Sequence, residues 1–74
     1  MILKVTTPQD GDVMLDTAVD EIAELEKLFN VAKSRQMWGK ATKNNTSKFL
    51  PTSTLFKDIL EFDEVVMLPQ QVGG

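Results

Sequence analysis

The last two residues, Gly73 and Gly74, have the residue type and the position that best fit a chemical role. They follow an apolar run at 64–68 and Pro69, which lacks the backbone N–H that a continuing strand would need. Glycine has no Cβ, so a terminal Gly-Gly can enter a narrow channel and approach a bound nucleotide closely. The sequence therefore suggests that the terminal carboxylate reacts with ATP in the active site of a partner, which supplies the metal and the nucleophile. The alternative is that Gly73 and Gly74 are a frayed end without a chemical role.

A second candidate site is the basic segment at 33–48, which contains an aromatic residue and no acid. Its members are Lys33, Arg35, Trp38, Lys40, Lys43 and Lys48. Bases with an interleaved aromatic side chain can neutralise phosphates and stack on a nucleobase, and they can equally dock an acidic protein. The alternative is a solvated edge strand, whose lysines block edge-to-edge pairing while Trp38 packs on the end of a helix.

The composition excludes several classes of chemistry. The chain has no cysteine and no histidine, so thiol nucleophiles, imidazole bases and the commonest metal ligands are absent. We therefore expect no enzyme activity, no cofactor and no metal site. The net charge of −3 also argues against a nucleic-acid partner. A chain of 74 residues fits a single domain over 1–74, with 69–74 as a flexible tail. No signal peptide and no membrane span are expected, which favours the cytoplasm.

Hydrophobic patterning predicts the order of the elements. Residues 1–7 and 13–15 are typical of two strands, and the turn at Asp10-Gly11 favours an antiparallel hairpin between them. A helix is then expected, capped by Asp16 or Thr17 and ending between 33 and 37. Its apolar positions are spaced by three or four residues: Ala18, Ile22, Leu25, Phe29 and Ala32.

The second half is harder to assign. We expect a strand at 37–43, a polar turn at 44–47, a short turn capped by 52–54 and a final strand at 64–68. These elements predict an α+β fold in which one long helix crosses one face of a small mixed sheet. With the last strand beside the first, the arrangement is that of the ubiquitin-like β-grasp. The alternative is a short hairpin that leads into a helical hairpin.

The segment 63–74, D-E-V-V-M-L-P-Q-Q-V-G-G, resembles the C-terminus of the ubiquitin-like sulfur carriers. The resemblance is greatest to the small subunit of molybdopterin synthase, which typically ends in D-E-V-A-F-L-P-P-V-S-G-G. The residues that match without a gap are Asp63, Glu64, Val65, Leu68, Pro69, Gly73 and Gly74. Met67 replaces the phenylalanine of that pattern. The match covers about a sixth of the chain.

That resemblance implies a β-grasp carrier whose terminal Gly74 is adenylated by an E1-like enzyme and converted to a thiocarboxylate. Gly73 would act as its spacer, and Met67, Pro69 and Val72 would contact partners. A sulfur-accepting enzyme subunit, in molybdopterin, thiamin or tRNA sulfur transfer, would be the second partner. The alternative function is a small regulatory module that binds a protein or nucleic acid through the segment 33–48.

Overall fold

Five strands form one mixed sheet and a helix packs on one of its faces, so the chain has an α+β fold. The structure is a computed structural model, and it describes residues 1–7 and 11–69. The elements are β1 (Ile2–Thr7), β2 (Gly11–Asp16), α1 (Ile22–Ser34), β3 (Trp38–Lys43), β4 (Thr46–Leu50), α2 (Phe56–Ile59) and β5 (Glu64–Leu68). In the sheet the strands follow the order β2-β1-β5-β3-β4.

The last strand lies in the middle of the sheet, beside the first, as the sequence predicted. β5 is parallel to β1, with Val65 opposite Leu3, and antiparallel to β3, with Val65 opposite Ala41. These three side chains are fully buried. β5 is an almost continuous apolar run in sequence, but only Val65 and Met67 are buried, whereas Val66 and Leu68 are half-buried.

The core fills the space between α1 and the sheet. Leu25, Phe29 and Ala32 recur at helical spacing and are the buried face of α1. The other buried side chains come from the sheet, α2 and the connections: Leu3, Val5, Met37, Ala41, Leu50, Ile59, Phe62, Val65 and Met67. The Phe56 ring lies 5.9 Å from the Phe29 ring, which joins α2 to this core. Neither helix in the described ranges is long and apolar enough to cross a bilayer.

The helix is shorter than predicted and begins later. It spans Ile22–Ser34, with Glu21 at the N-cap, and Asp16 does not cap it. The Asp16 carboxylate accepts a hydrogen bond from the Ala18 N–H, and the Asp20 carboxylate accepts one from the Asp16 N–H. Thr17 donates its N–H to the Met1 carbonyl, so it extends the β1–β2 pairing. Local side-chain bonds thus outcompete the first helical turns, and the prediction of a long helix was wrong.

The end of α1 agrees with the prediction and has a defined cap. The Met37 N–H donates to the Ala32 carbonyl and the Gln36 N–H donates to the Lys33 carbonyl, which is the Schellman pattern. Gln36 takes the left-handed conformation that this motif requires, with φ of 58°. Glycine is the usual residue there because a Cβ is strained at positive φ.

The sequence analysis missed the strand β4. Asn44 and Asn45 both have positive φ, 51° and 63°, as a two-residue type I′ hairpin requires. β4 therefore starts at Thr46, inside the segment predicted as a turn, and pairs antiparallel with β3. Its alternation is hard to recognise because Leu50 is its only buried residue.

The remaining predictions were largely confirmed. The hairpin of β1 and β2 is present, although Asp10 lies outside the described residues. The short turn near residue 56 is the single-turn helix α2, whose N-cap position is Leu55 and not one of the residues at 52–54, and no side chain caps it.

Replacing Gln36 with glycine should stabilise the protein. The substitution Gln36→Gly relieves the strain of a side chain at positive φ, and we expect the free energy of unfolding to rise by about 1 kcal/mol. Urea denaturation followed by circular dichroism measures it. Arg35→Gly is the matched control, because Arg35 has φ of −93° and gains nothing from glycine. Equal effects of the two changes would contradict the strain at Gln36.

Gly39 is required by close packing, so a larger residue there should destabilise the sheet. A Cβ on Gly39 would lie 3.0 Å from Met67 Sδ and 3.2 Å from Leu50 Cδ1. We expect Gly39→Val to lower the free energy of unfolding by about 2 kcal/mol through overpacking. In the same strand Thr42→Val places the same side chain on the other face of the sheet, and urea denaturation should find it nearly neutral. A neutral Gly39→Val would show that the core has room for a side chain.

Candidate functional site

The face of the sheet opposite α1 carries the candidate site. On β1, β5 and β3 the buried residues alternate with residues that face away from the helix. The register places these outward residues in one row across the sheet: Met14, Lys4, Val66, Lys40 and Phe49. No helix covers this face in the described part of the chain, so its apolar side chains remain in contact with water.

An apolar cluster lies at the β5-β3-β4 side of that face, and we call it the open-face patch: Trp38, Phe49, Val66 and Leu68. The Trp38 and Phe49 rings lie 5.0 Å apart at an interplanar angle of 57°, and Leu68 lies opposite Trp38. Phe49 is 72% exposed. An exposed aromatic pair beside aliphatic side chains is typical of a protein-binding surface.

Lys40 stands inside this patch. It lies opposite Val66 on one side and opposite Phe49 on the other. Among residues 1–7 and 11–69 the one ion pair joins Lys4 to Asp12 at 3.4 Å, and Lys40 therefore has no described carboxylate partner.

The chain leaves the sheet beside the patch. Thr6, Trp38, Leu68 and Pro69 line a groove of about 430 Å³. Pro69 is the last described residue, and the predicted reactive residues Gly73 and Gly74, together with the predicted contact Val72, lie outside the described range. Pro69, also a predicted contact, is half-buried at the edge of the patch.

Met67, predicted as a partner contact, lies in the core. Its side chain is 3% exposed and faces α1. Its Sδ atom would lie 3.0 Å from a Cβ placed on Gly39. Val66 and Leu68, its two neighbours, carry the side chains of β5 that face away from α1. The sequence analysis missed them because a continuous apolar run does not show which alternate positions point outward.

The six residues of the basic segment do not form one surface. Trp38 and Lys40 share the open face, where Trp38 contacts Phe49 instead of the helix end. Lys48 lies opposite the buried Ala41, so it faces the helix side, and its Nζ is 5.2 Å from the centre of the Phe62 ring. Lys40 of β3 and Lys48 of β4 therefore lie on opposite faces of the sheet.

The other bases of the segment lie at the C-terminal ends of α1 and β3. Lys33, in the last turn of α1, donates from Nζ to the Thr54 carbonyl at 2.7 Å and lies 5.6 Å from the Phe29 ring. Arg35 is the exposed C-cap of the same helix, and Lys43 is the exposed last residue of β3. Lys33 therefore has a structural contact that ties the helix to the loop before α2.

No cluster of ionisable groups suited to metal binding occurs in the described ranges. The open face presents an aromatic pair, two aliphatic side chains and the Lys40 amine, which has no described carboxylate partner, next to the point where the chain leaves the sheet. Comparisons with protein-family models, with curated proteins and with solved structures find no match to this chain.

Removing the Phe49 ring should change the environment of Trp38, the single tryptophan. We expect Phe49→Ala to shift the fluorescence emission to longer wavelength and to strengthen quenching by acrylamide, because the ring that covers Trp38 is gone. The free energy of unfolding should fall by less than about 1 kcal/mol, since Phe49 is largely exposed. The control Leu55→Ala removes another exposed apolar side chain and should leave the emission unchanged. An unchanged spectrum in Phe49→Ala would contradict the contact between the two rings.

Proposed function

We propose that this chain is a ubiquitin-like sulfur carrier of the β-grasp type, which acts in the cytoplasm and has no enzyme activity of its own. The observation that supports it most is the position of β5. This strand lies beside β1 in the middle of the sheet and ends at Leu68, next to the open-face patch. A carrier needs this combination: a rigid body, a surface for its partner and a terminal segment that starts at that surface.

The fold assignment rests on topology. β5 returns parallel to β1, and α1 links the hairpin of β1 and β2 to β3 across one face of the sheet. In this arrangement the segment 63–68 that resembles the sulfur carriers is strand β5 with the residue before it. The Asp63 N–H donates to the Thr42 carbonyl and the Asp63 carbonyl accepts from the Ile2 N–H, which fixes the start of β5 between its neighbours.

In the proposal Gly74 is the reactive residue. Five residues follow Pro69 in the sequence, and a fully extended segment of that length reaches about 17 Å. The E1-like partner supplies ATP, and the Gly74 carboxylate attacks its α-phosphate, which releases pyrophosphate and leaves an acyl-adenylate. Sulfide delivered by the partner then attacks the acyl carbon and displaces AMP, which leaves a terminal thiocarboxylate that the sulfur-accepting subunit consumes.

The open-face patch is the surface proposed to hold the adenylating partner. Burial of the exposed Phe49 ring favours association through the hydrophobic effect. Lys40 would pair with an acid of the partner and fix the orientation. Since the groove at Pro69 adjoins the patch, docking there would direct the terminal segment to the partner's nucleotide site.

The alternative function, a module that binds through the segment 33–48, has less support from the geometry. Its bases lie on both faces of the sheet and at the end of α1, so one ligand could not contact all of them at a single surface. Trp38 and Lys40 belong to the open-face patch and fit a protein partner.

Mass spectrometry tests the proposal. Intact protein purified without a C-terminal tag from the cells that encode it should end at Gly74 and should include a fraction with one oxygen replaced by sulfur. A chain that continues beyond Gly74, or a terminal carboxylate as the sole species, together with no AMP formation by the adenylating enzyme encoded with it, would refute the proposal.

Variants separate the terminal residues from the docking surface. Deletion of Gly73 and Gly74 should abolish AMP formation, whereas Gln71→Ala keeps the length of the segment and should not. Phe49→Asp should raise the carrier concentration needed for half-maximal activity by about tenfold, because the partner would bury an unpaired charge. Leu55→Asp, at an exposed apolar residue outside the patch, is the control. Normal activity of the deletion variant would contradict the role of Gly74.

A further inference from the structure

A second uncovered apolar surface lies on the other side of the molecule, between α1 and β2. Val13 and Leu15 of β2 and Leu28 and Val31 of α1 line a groove of about 340 Å³. Glu24 and Lys27 complete its wall on the helix side. Val31 is 42% exposed although it belongs to a helix that packs on the sheet. We call this surface the α1–β2 groove.

One wall of the groove is an edge strand with free backbone groups. The Thr17 N–H donates to the Met1 carbonyl, and antiparallel pairs alternate between bonded and non-bonded positions. The residues of β2 that bond β1 are therefore Val13 and Leu15, while Asp12 and Met14 direct their N–H and C=O groups away from the sheet. No described strand pairs with β2 on that side. An extended segment added there would bond these groups and place alternate side chains over the groove.

The charge of the chain near the groove indicates the charge that a partner should carry. Between Gly11 and Glu26 the chain has six acidic residues and no basic one: Asp12, Asp16, Asp20, Glu21, Glu24 and Glu26. Lys4 pairs with Asp12 at 3.4 Å, and Lys27 is a single base at the groove. Glu24 lines the groove itself, and the six acids exceed these two bases, so this part of the chain carries net negative charge and favours basic groups. A second copy of this chain would bring an equally acidic segment against the first and is therefore disfavoured.

We propose that the α1–β2 groove binds an extended segment of another protein that has apolar residues at alternate positions and lysine or arginine at its ends. The segment adds a sixth strand beside β2, its apolar side chains cover Val13, Leu15 and Val31, and its basic ends face the acidic segment. This site is separate from the open-face patch and from the terminal glycines, so it does not depend on the proposed carrier function.

The probe is the synthetic peptide Lys-Lys-Val-Thr-Val-Thr-Val-Lys-Lys, titrated into ¹⁵N-labelled protein. We expect amide shifts at Asp12, Met14 and Val31 and none at Trp38 or Phe49. Val31→Gln should weaken binding by about fivefold, because it removes apolar contact area. The matched control is Ile22→Gln, an exposed β-branched residue of the same helix outside the groove, which should bind normally.

Three modified peptides separate the contribution of charge to binding from that of backbone hydrogen bonds. Glutamate in place of every lysine should abolish binding, because like charges then face each other. N-methylation of one alternate set of amides, the threonine or the valine set, should also abolish it, and methylation of the other set should be tolerated. The set whose methylation abolishes binding shows the direction of pairing with β2. Loss with the threonine set indicates an antiparallel strand, and loss with the valine set indicates a parallel one.

The proposal is overturned by any of four results. These are no shifts at about 1 mM peptide, shifts centred on the open-face patch, equal effects of Val31→Gln and Ile22→Gln, or binding that survives methylation of both sets. Sedimentation that shows a dimer formed through β2 would assign the groove to a second copy instead.

Discussion

The burial of β5 between β1 and β3 is the constraint on which the rest of the structure depends. Val65 contacts neighbours on both sides in the sheet and lies beneath α1, fully shielded from water. Two local units, the hairpin of β1 and β2 and the hairpin of β3 and β4, pair with each other only through this strand. The last element of the chain thus closes the sheet, and the non-local pairing of β1 with β5 brings together residues more than sixty positions apart.

A core this small leaves little freedom in side-chain size. Gly39 lies directly opposite Met67 and Leu50, and the close approach of these two side chains fills the space that a Cβ would need. On this face small and large residues lie side by side in neighbouring strands. α1 covers the face only in part, since it lies closest to β1 and leaves Val13 and Leu15 of β2 half-exposed.

Incomplete cover produces two different surfaces. On the open face the aromatic pair of Trp38 and Phe49 lies next to the end of β5, where the chain leaves the sheet. At the α1–β2 groove, aliphatic side chains lie beside an unpaired strand edge and an acidic segment. The first surface presents side chains alone, whereas the second also presents backbone groups that an added strand could bond.

Local patterns determined much of this protein. The apolar spacing of Leu25, Phe29 and Ala32 identifies the buried face of α1, and β-branched and apolar runs identify β1, β2 and β5. The start of α1 was not predictable from spacing, since Asp16 and Asp20 bond the backbone of a turn instead of capping a helix. β4 escaped notice because an edge strand with one buried residue has almost no hydrophobic pattern.

The candidate site shows the same division. The sequence alone determined which residue types are available: no thiol, no imidazole, a basic segment and a terminal Gly-Gly. Only the tertiary structure decided that Lys40 and Lys48 lie on opposite faces and that Val66, not Met67, points outward. The physical reason is that a strand alternates its faces every residue, and which face is buried depends on where α1 packs, which no local segment encodes.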